Sequence, residues 1–142
     1  MRLATLLTVL VTLAWPLGGA SPKNRAPTRS TSLTLGEAEI LVYLTPAAAA
    51  VRSSPECDVV WELQRFTRPF WVFWVLDSCA GRNQSPTVGY YAVNNRTAQV
   101  WDAGLTHLVS SRELDRVEEI LRNAHHVGRA VLAKYGRLRP SP

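Results

Sequence analysis

A run of seven apolar residues, from Phe70 to Leu76, constrains the fold of this chain more than any other feature. It is about a third of the roughly 20 residues that a helix needs to cross a bilayer, so length excludes a membrane span. Aromatic and β-branched residues dominate the run, which favours a β-strand. Alternation along a strand places Phe70, Val72, Trp74 and Leu76 on one face and Trp71, Phe73 and Val75 on the other. Because both faces are apolar, we expect an interior strand that is covered on both sides.

What packs against each of these two faces bears directly on function. Predicted helices can cover one face, and the other could be covered by the N-terminal segment, a short alanine-rich helix, a second copy of the chain or a ligand. Burying a Phe or Trp contributes at least roughly 1.5–3 kcal/mol, so an uncovered face would be costly and adhesive. Interaction surfaces are often rich in Trp and Tyr. We therefore predict binding residues at Phe70, Trp74 and Tyr90, facing an unidentified protein, a small apolar ligand or a second protomer.

The first 32 residues of the 142-residue chain have the layout of an export signal followed by a tether. Arg2 precedes an apolar stretch from Leu3 to Trp15, and small residues end at Ala20, which predicts a secretory signal peptide over 1–20. The alternative is an uncleaved membrane anchor, for which the stretch is short. Residues 21–32 are polar and predict a flexible tether, which leaves one domain over 33–139. The predicted location is secreted or periplasmic.

Two cysteines, Cys57 and Cys79, are the only ones in the sequence. In an exported chain an even number of cysteines favours a disulfide, with two buried free thiols as the alternative. The chain has no C-x-x-C motif, so neither a thiol redox site nor a zinc site is indicated. We predict a Cys57–Cys79 bridge, no metal site and no cofactor.

The N-terminal part of the domain carries two helix signals. Thr34 and Glu37 have the spacing of a capping box and predict a helix from Leu35, although Ile40 to Leu44 could also form a strand. Pro46 after Thr45, followed by four alanines, predicts a second helix over Pro46 to Arg52, with a low-complexity loop as the alternative. These helices are candidates for covering the sheet.

The remaining elements complete an α+β domain with a four-stranded antiparallel sheet. The predicted strands are Asp58 to Phe66, Phe70 to Leu76, Val88 to Val93 and Gln99 to Trp101, of which the last two form a hairpin. Ser110 and Glu113 predict a helix start, and apolar residues at spacings of three and four predict one long C-terminal helix over about Ser111 to Lys134. We expect it to pack on the sheet rather than in a coiled coil.

The formal net charge is +5, and 14 of the 16 basic residues are Arg. Basic proteins can bind nucleic acid or anionic polymers, but here the basic residues are scattered along the sequence without a run. The pattern indicates a solvated surface. For an exported chain we expect no nucleic-acid partner.

No catalytic motif marks the sequence, so a non-enzymatic binding or inhibitory protein is the leading prediction. The alternative is a small periplasmic enzyme that uses Asp102 and His107, five residues apart, as an acid–base pair. His125 and His126 are adjacent on the predicted helix and diverge by about 100°, so they cannot chelate one metal from a regular helix.

The segment VGYYAVNNRTAQVWD, from Val88 to Asp102, resembles the strand–turn–strand of small exported bacterial domains of the PepSY kind. It is also similar to hairpins of immunity proteins with a nuclear-transport-factor-2-like fold. Asn94, Arg96-Thr97 and Gln99-Val100 fit this pattern, and Ala98 departs from it because Gly is usual there. The resemblance implies an α+β domain with a non-catalytic, binding or inhibitory role, and it transfers no active-site residue.

Overall fold

The computed structural model describes residues 31–81 and 84–141, so the predicted signal peptide and most of the predicted tether lie outside the described residues. The α+β class is confirmed. The elements are α1 (Leu35–Tyr43), α2 (Pro46–Arg52), β1 (Val59–Thr67), β2 (Phe70–Asp77), β3 (Thr87–Asn94), β4 (Val100–Asp102), β5 (His107–Leu108), α3 (Arg112–Ala124) and α4 (Arg129–Tyr135). A search of the described part of the chain for a helix that is long and apolar enough to cross a bilayer finds none.

The sheet has five antiparallel strands rather than the predicted four, and they are arranged in sequence order. The first four match the predicted strands with small changes at their ends. The fifth, β5, has only two residues and pairs with β4 through Trp101–Leu108 and Asp102–His107. Two residues are too few to show an alternating pattern, which is why the sequence gives no sign of this strand.

Strand β2 lies between β1 and β3, and both of its faces are used as the alternation predicts. Phe73 and Val75 are fully buried in one cluster with residues of α1 and α3, among them Leu41 and Leu114. On the opposite face, the buried residues of a smaller cluster all come from strands (Phe70, Val72, Ala92 and Trp101), and Ala103 packs against them. Within residues 31–81 and 84–141, the helices thus cover one side of the sheet and not the other.

The first two helices start where their caps predict. Thr34 and Glu37 form the capping box, with the Thr34 amide donating to Glu37 Oε2 across 2.7 Å. This cap decides the element in favour of a helix, so the strand alternative for Ile40 to Leu44 is wrong. Helix α2 begins with Pro46 at its first turn, although the Thr45 hydroxyl donates to the Val42 carbonyl instead of capping α2.

The single long C-terminal helix is wrong: α3 ends at Ala124, and α4 starts only at Arg129. His126 has φ +54, which no α-helix accommodates, and Gly128 caps α4 with extended backbone. His125 contacts Glu37 of α1, with 2.8 Å between Nε2 and Oε1. The apolar stripe continues across the break, so its periodicity alone cannot reveal that the chain changes direction.

The start of α3 is also displaced by one residue from the prediction. Ser111 is the N-cap, and its hydroxyl accepts from the Leu114 amide. Ser110 instead donates to the carboxylate of Asp115 at 2.8 Å. Two adjacent serines both satisfy the cap preference, and sequence alone cannot choose between them.

The predicted disulfide is confirmed: Cys57 and Cys79 are bonded, with their Cα atoms 5.3 Å apart. The bridge joins the chain just before β1 to the chain just after β2, beside the register pair Val59–Asp77. It therefore closes the open end of the β1–β2 hairpin.

Candidate functional site

The side of the sheet that bears Val72, Trp74 and Tyr90, here called the open face, carries an exposed aromatic pair. Trp74 and Tyr90 are cross-strand partners on β2 and β3, and their rings stack with centroids 6.1 Å apart at an interplanar angle of 5°. The Trp74 indole N–H donates to Thr87 Oγ1 at 3.2 Å, which fixes the ring. Tyr90 remains 44% exposed. The pair is thus a rigid, solvent-facing aromatic surface.

A shallow hollow of about 450 Å³ adjoins this pair on the open face. Its lining residues come from β1, β2, β3 and the segment after β4: Gln64, Arg65, Val72, Tyr90, Ala103 and Gly104. The floor is mostly apolar, and the polar groups of Gln64 and Arg65 stand at one side. Apolar concavities with a few polar groups at their margin are typical binding sites.

Phe70, the third predicted binding residue, lies on the same strand but is only 4% exposed. It lines a cavity of about 140 Å³ together with Val72 and residues 138–141, which belong to the C-terminal tail (residues 137–141). The Arg65 guanidinium donates to the Ser141 carbonyl at 2.5 Å. The tail therefore contributes to the cover of this end of the open face, a role that the sequence pattern does not signal.

The turn between β3 and β4 ties the sheet to α4. Asn94 Oδ1 accepts from the Arg96 amide, and its Nδ2 donates to the Tyr135 carbonyl at 3.0 Å. Ala98 has φ +60 and is completely buried. The residue that departs from the hairpin pattern thus occupies a left-handed backbone position that favours Gly.

The structure brings Asp102 and His107 together as cross-strand partners, and both line a hollow of about 370 Å³ with Tyr91. Asp102 Oδ1 accepts from the amides of Gly104 and Leu105 at 2.9 and 2.8 Å, so this oxygen shapes the β4–β5 turn. Burial raises the pKa of Tyr91, a hydrogen bond with Thr45 opposes that rise, and the negative charge of Asp102 adds to it. Nothing in the sequence pattern marks Tyr91 as a neighbour of Asp102 and His107.

His125 and His126 lie at the break between α3 and α4 and not on a regular helix. The His125 side chain, which is 12% exposed, contacts the Glu37 side chain, which is 26% exposed. The contact joins the first helix to the third. Its evident role is to hold the turn between α3 and α4 against α1.

Comparison with known proteins gives one informative similarity. No family model matches the sequence, and a search of curated proteins finds no match. In fold, the chain is similar to a chain in the structure of a type VI secretion system effector–immunity complex from Pseudomonas protegens, with a TM-score of 0.55 and 15% sequence identity. The similarity covers 77% of this chain and 91% of that chain. At this identity it establishes a shared fold.

Proposed function

We propose that this chain is an exported, non-enzymatic protein that binds and inhibits a protein partner through its open face. The observation that carries the proposal is the stacked Trp74–Tyr90 pair, held rigidly beside a hollow on the side of the sheet that no helix of the described chain covers. Rigid aromatic side chains bury a large area at little entropic cost, which is why they dominate binding hot spots.

Two further observations support the proposal. The similar fold occurs in an effector–immunity complex, in which one protein is bound to another. The disulfide suits an oxidising compartment, in agreement with the predicted export signal. Together they favour a secreted or periplasmic protein with an immunity-type role, in which binding blocks the activity of the partner.

The test begins with isolation of the partner from the extracellular or periplasmic fraction, followed by binding measurements with both proteins purified. Replacing Trp74 and Tyr90 together by Ala should weaken binding at least about thirtyfold, since loss of a hot-spot aromatic costs at least about 2 kcal/mol. Inhibition of the partner's activity should be lost in parallel. Ile120→Ala is the matched control, because Ile120 is 55% exposed on α3, away from the sheet.

Equal binding by the double variant and the Ile120→Ala control would overturn the proposal. Phe70→Ala belongs in the same series: because Phe70 is buried, we expect it to reduce stability as well as binding. A mass that rises with protein concentration, with no partner recovered, would show that a second copy of the chain occupies the face. A recovered small apolar molecule would show a ligand site instead.

A small periplasmic enzyme is the second candidate, favoured by the placement of Asp102, His107 and Tyr91 around one hollow. His107 is exposed and could exchange protons with a bound molecule. His107→Ala separates the two functions once a partner is in hand. Lost turnover with intact binding would favour the enzyme, whereas unchanged inhibition would favour the binding protein.

A further inference from the structure

Four arginines that are scattered in the sequence gather at one end of the molecule, here called the basic end. Arg65 lies near the end of β1, Arg68 in the β1–β2 turn, Arg96 in the β3–β4 turn and Arg139 in the C-terminal tail. The fold brings these three regions together because antiparallel β2 and β3 place both turns at the same edge of the sheet, with Phe70 opposite Asn94.

The basic end encloses two adjoining cavities of about 440 and 140 Å³. They share Arg68, Pro69 and Leu138 in their walls, and neither wall contains an Asp or Glu. The larger cavity has an aromatic and aliphatic lining that includes Phe66, Tyr135 and Leu138. Guanidinium groups therefore stand around an apolar floor.

These four arginines form no ion pair within the described residues. Arg65 donates to the Ser141 carbonyl, and Arg96 donates to the Thr31 hydroxyl at 3.2 Å, both of which are neutral acceptors. By contrast, the acidic residues Glu56, Asp58 and Asp77 lie at the opposite, disulfide-linked end of the β1–β2 hairpin, about 25 Å away by strand length. Among the described residues, these three carboxylates therefore lie far from the basic end.

We infer that the basic end binds an acidic segment of the protein partner, an inference that rests on the proposed function. The carboxylates of that segment would bind the arginines, and its neighbouring apolar side chains would contact the apolar floor of the cavities. Arginine binds carboxylates through two parallel hydrogen bonds, and among the described residues none of these four guanidiniums is paired with a carboxylate. The smaller cavity shares Arg65 and Val72 with the hollow on the open face. One partner can therefore contact both regions, and the apolar concave floor suits a peptide better than a membrane or nucleic acid.

The test is an NMR titration of the full chain with an acetylated hexapeptide of alternating Glu and Phe. Backbone shifts should concentrate around Arg65, Arg68 and Arg96, and Arg68→Glu/Arg96→Glu should weaken binding at least about tenfold. Arg112→Glu/Arg116→Glu is the matched control, since it changes the charge equally on the exposed start of α3. Arg68→Gln/Arg96→Gln provides the same test without charge reversal, and circular dichroism checks the fold of each variant.

Equal weakening by the two charge reversals, or equal binding of an alternating Gln–Phe hexapeptide, would overturn the inference. So would tighter binding of phosphatidylglycerol vesicles or a thymidine oligonucleotide than of the acidic peptide. Ile120→Ala should leave the peptide affinity unchanged, because Ile120 is exposed on α3 and lines neither cavity of the basic end. The peptide titration needs no partner, so failure at the arginines is separable from failure of the open face to bind the partner.

Discussion

At the scale of single residues, the carboxylate of Glu118 links helix α3 to the sheet from a buried position. Its Oε1 accepts from the Val100 amide at 3.2 Å and its Oε2 from Arg122 at 2.9 Å. Burial raises the pKa of Glu118, and the hydrogen bonds with Arg122 and Val100 only partly oppose that rise. Because the pKa is higher in the folded state, protonation favours folding, so this group's stabilising contribution is lost as the pH rises through the folded-state pKa.

We therefore expect Glu118→Gln to gain stability relative to the unmodified chain as the pH rises from about 4.5 to 7. Gln keeps an acceptor for the Val100 amide but carries no charge, so it loses the Arg122 ion pair at every pH at which the carboxylate is ionised. Urea unfolding of both proteins across this range gives the difference in unfolding free energy. A difference that stays constant with pH would contradict the raised pKa.

Ala98 offers a second prediction at this scale, because it combines φ +60 with complete burial. Ala98→Gly relieves a left-handed strain of about 1 kcal/mol but removes a buried methyl group worth about 0.8 kcal/mol, so we expect a net change below about 1 kcal/mol. Ala98→Val should cost at least about 2 kcal/mol, since a β-branched residue is poorly accommodated there. Thermal and urea unfolding rank the three proteins, and a Val variant as stable as Ala would refute the strain argument.

At the scale of elements, local signals in the sequence were sufficient where one residue pattern determines one structure. The Thr34–Glu37 box, Pro46 and the two-sided apolar run at Phe70 each predict their element correctly. The break after α3 does not follow from the periodicity, because the apolar stripe continues through it. In the structure the break coincides with the contact between His125 and Glu37, which are 88 residues apart in the sequence.

Glu37 belongs to this scale because it caps α1 and binds α3 with the same carboxylate. Burial pushes its pKa up, but hydrogen bonds from Thr34 and His125 outweigh burial and hold the pKa below the ordinary 4.5. The stabilisation is therefore present above pH 4.5 and is lost as the pH falls through the lower folded-state value. Glu37→Ala should cost about 0.5–2 kcal/mol at neutral pH, as the loss of a cap does.

The matched variant is Glu37→Gln, which can retain the capping box but removes the charge beside His125. We expect it to cost less than Glu37→Ala at pH 7, and the penalty of the Gln variant should shrink as the pH falls below about 4.5. Urea unfolding at both pH values measures this. A Gln penalty that is equal at both would show that the carboxylate charge contributes nothing.

At the scale of the whole molecule, the distribution of charge is a feature that the order of residues along the chain does not show. Basic residues that are separated by up to 74 positions along the chain, Arg65 and Arg139, lie at the same end of the fold. A linear reading sees only their spacing and predicts a solvated surface. The two antiparallel turns and the C-terminal tail bring these arginines to one end of the molecule. Their clustering is therefore visible only in the three-dimensional structure.

The disulfide acts at the same scale, because it fixes the one end of the β1–β2 hairpin that has no turn. Its two cysteines are 22 residues apart, and crosslinking such a loop restricts the unfolded chain enough to stabilise the fold by about 3 kcal/mol. Cys57→Ala/Cys79→Ala should lower the unfolding free energy by about this amount, as measured by urea unfolding. The unmodified chain in excess reductant should unfold at the same urea concentration as the double variant. If the double variant keeps the midpoint of the oxidised chain, the hairpin is held by its ladder and packing alone, and the bridge is dispensable for stability.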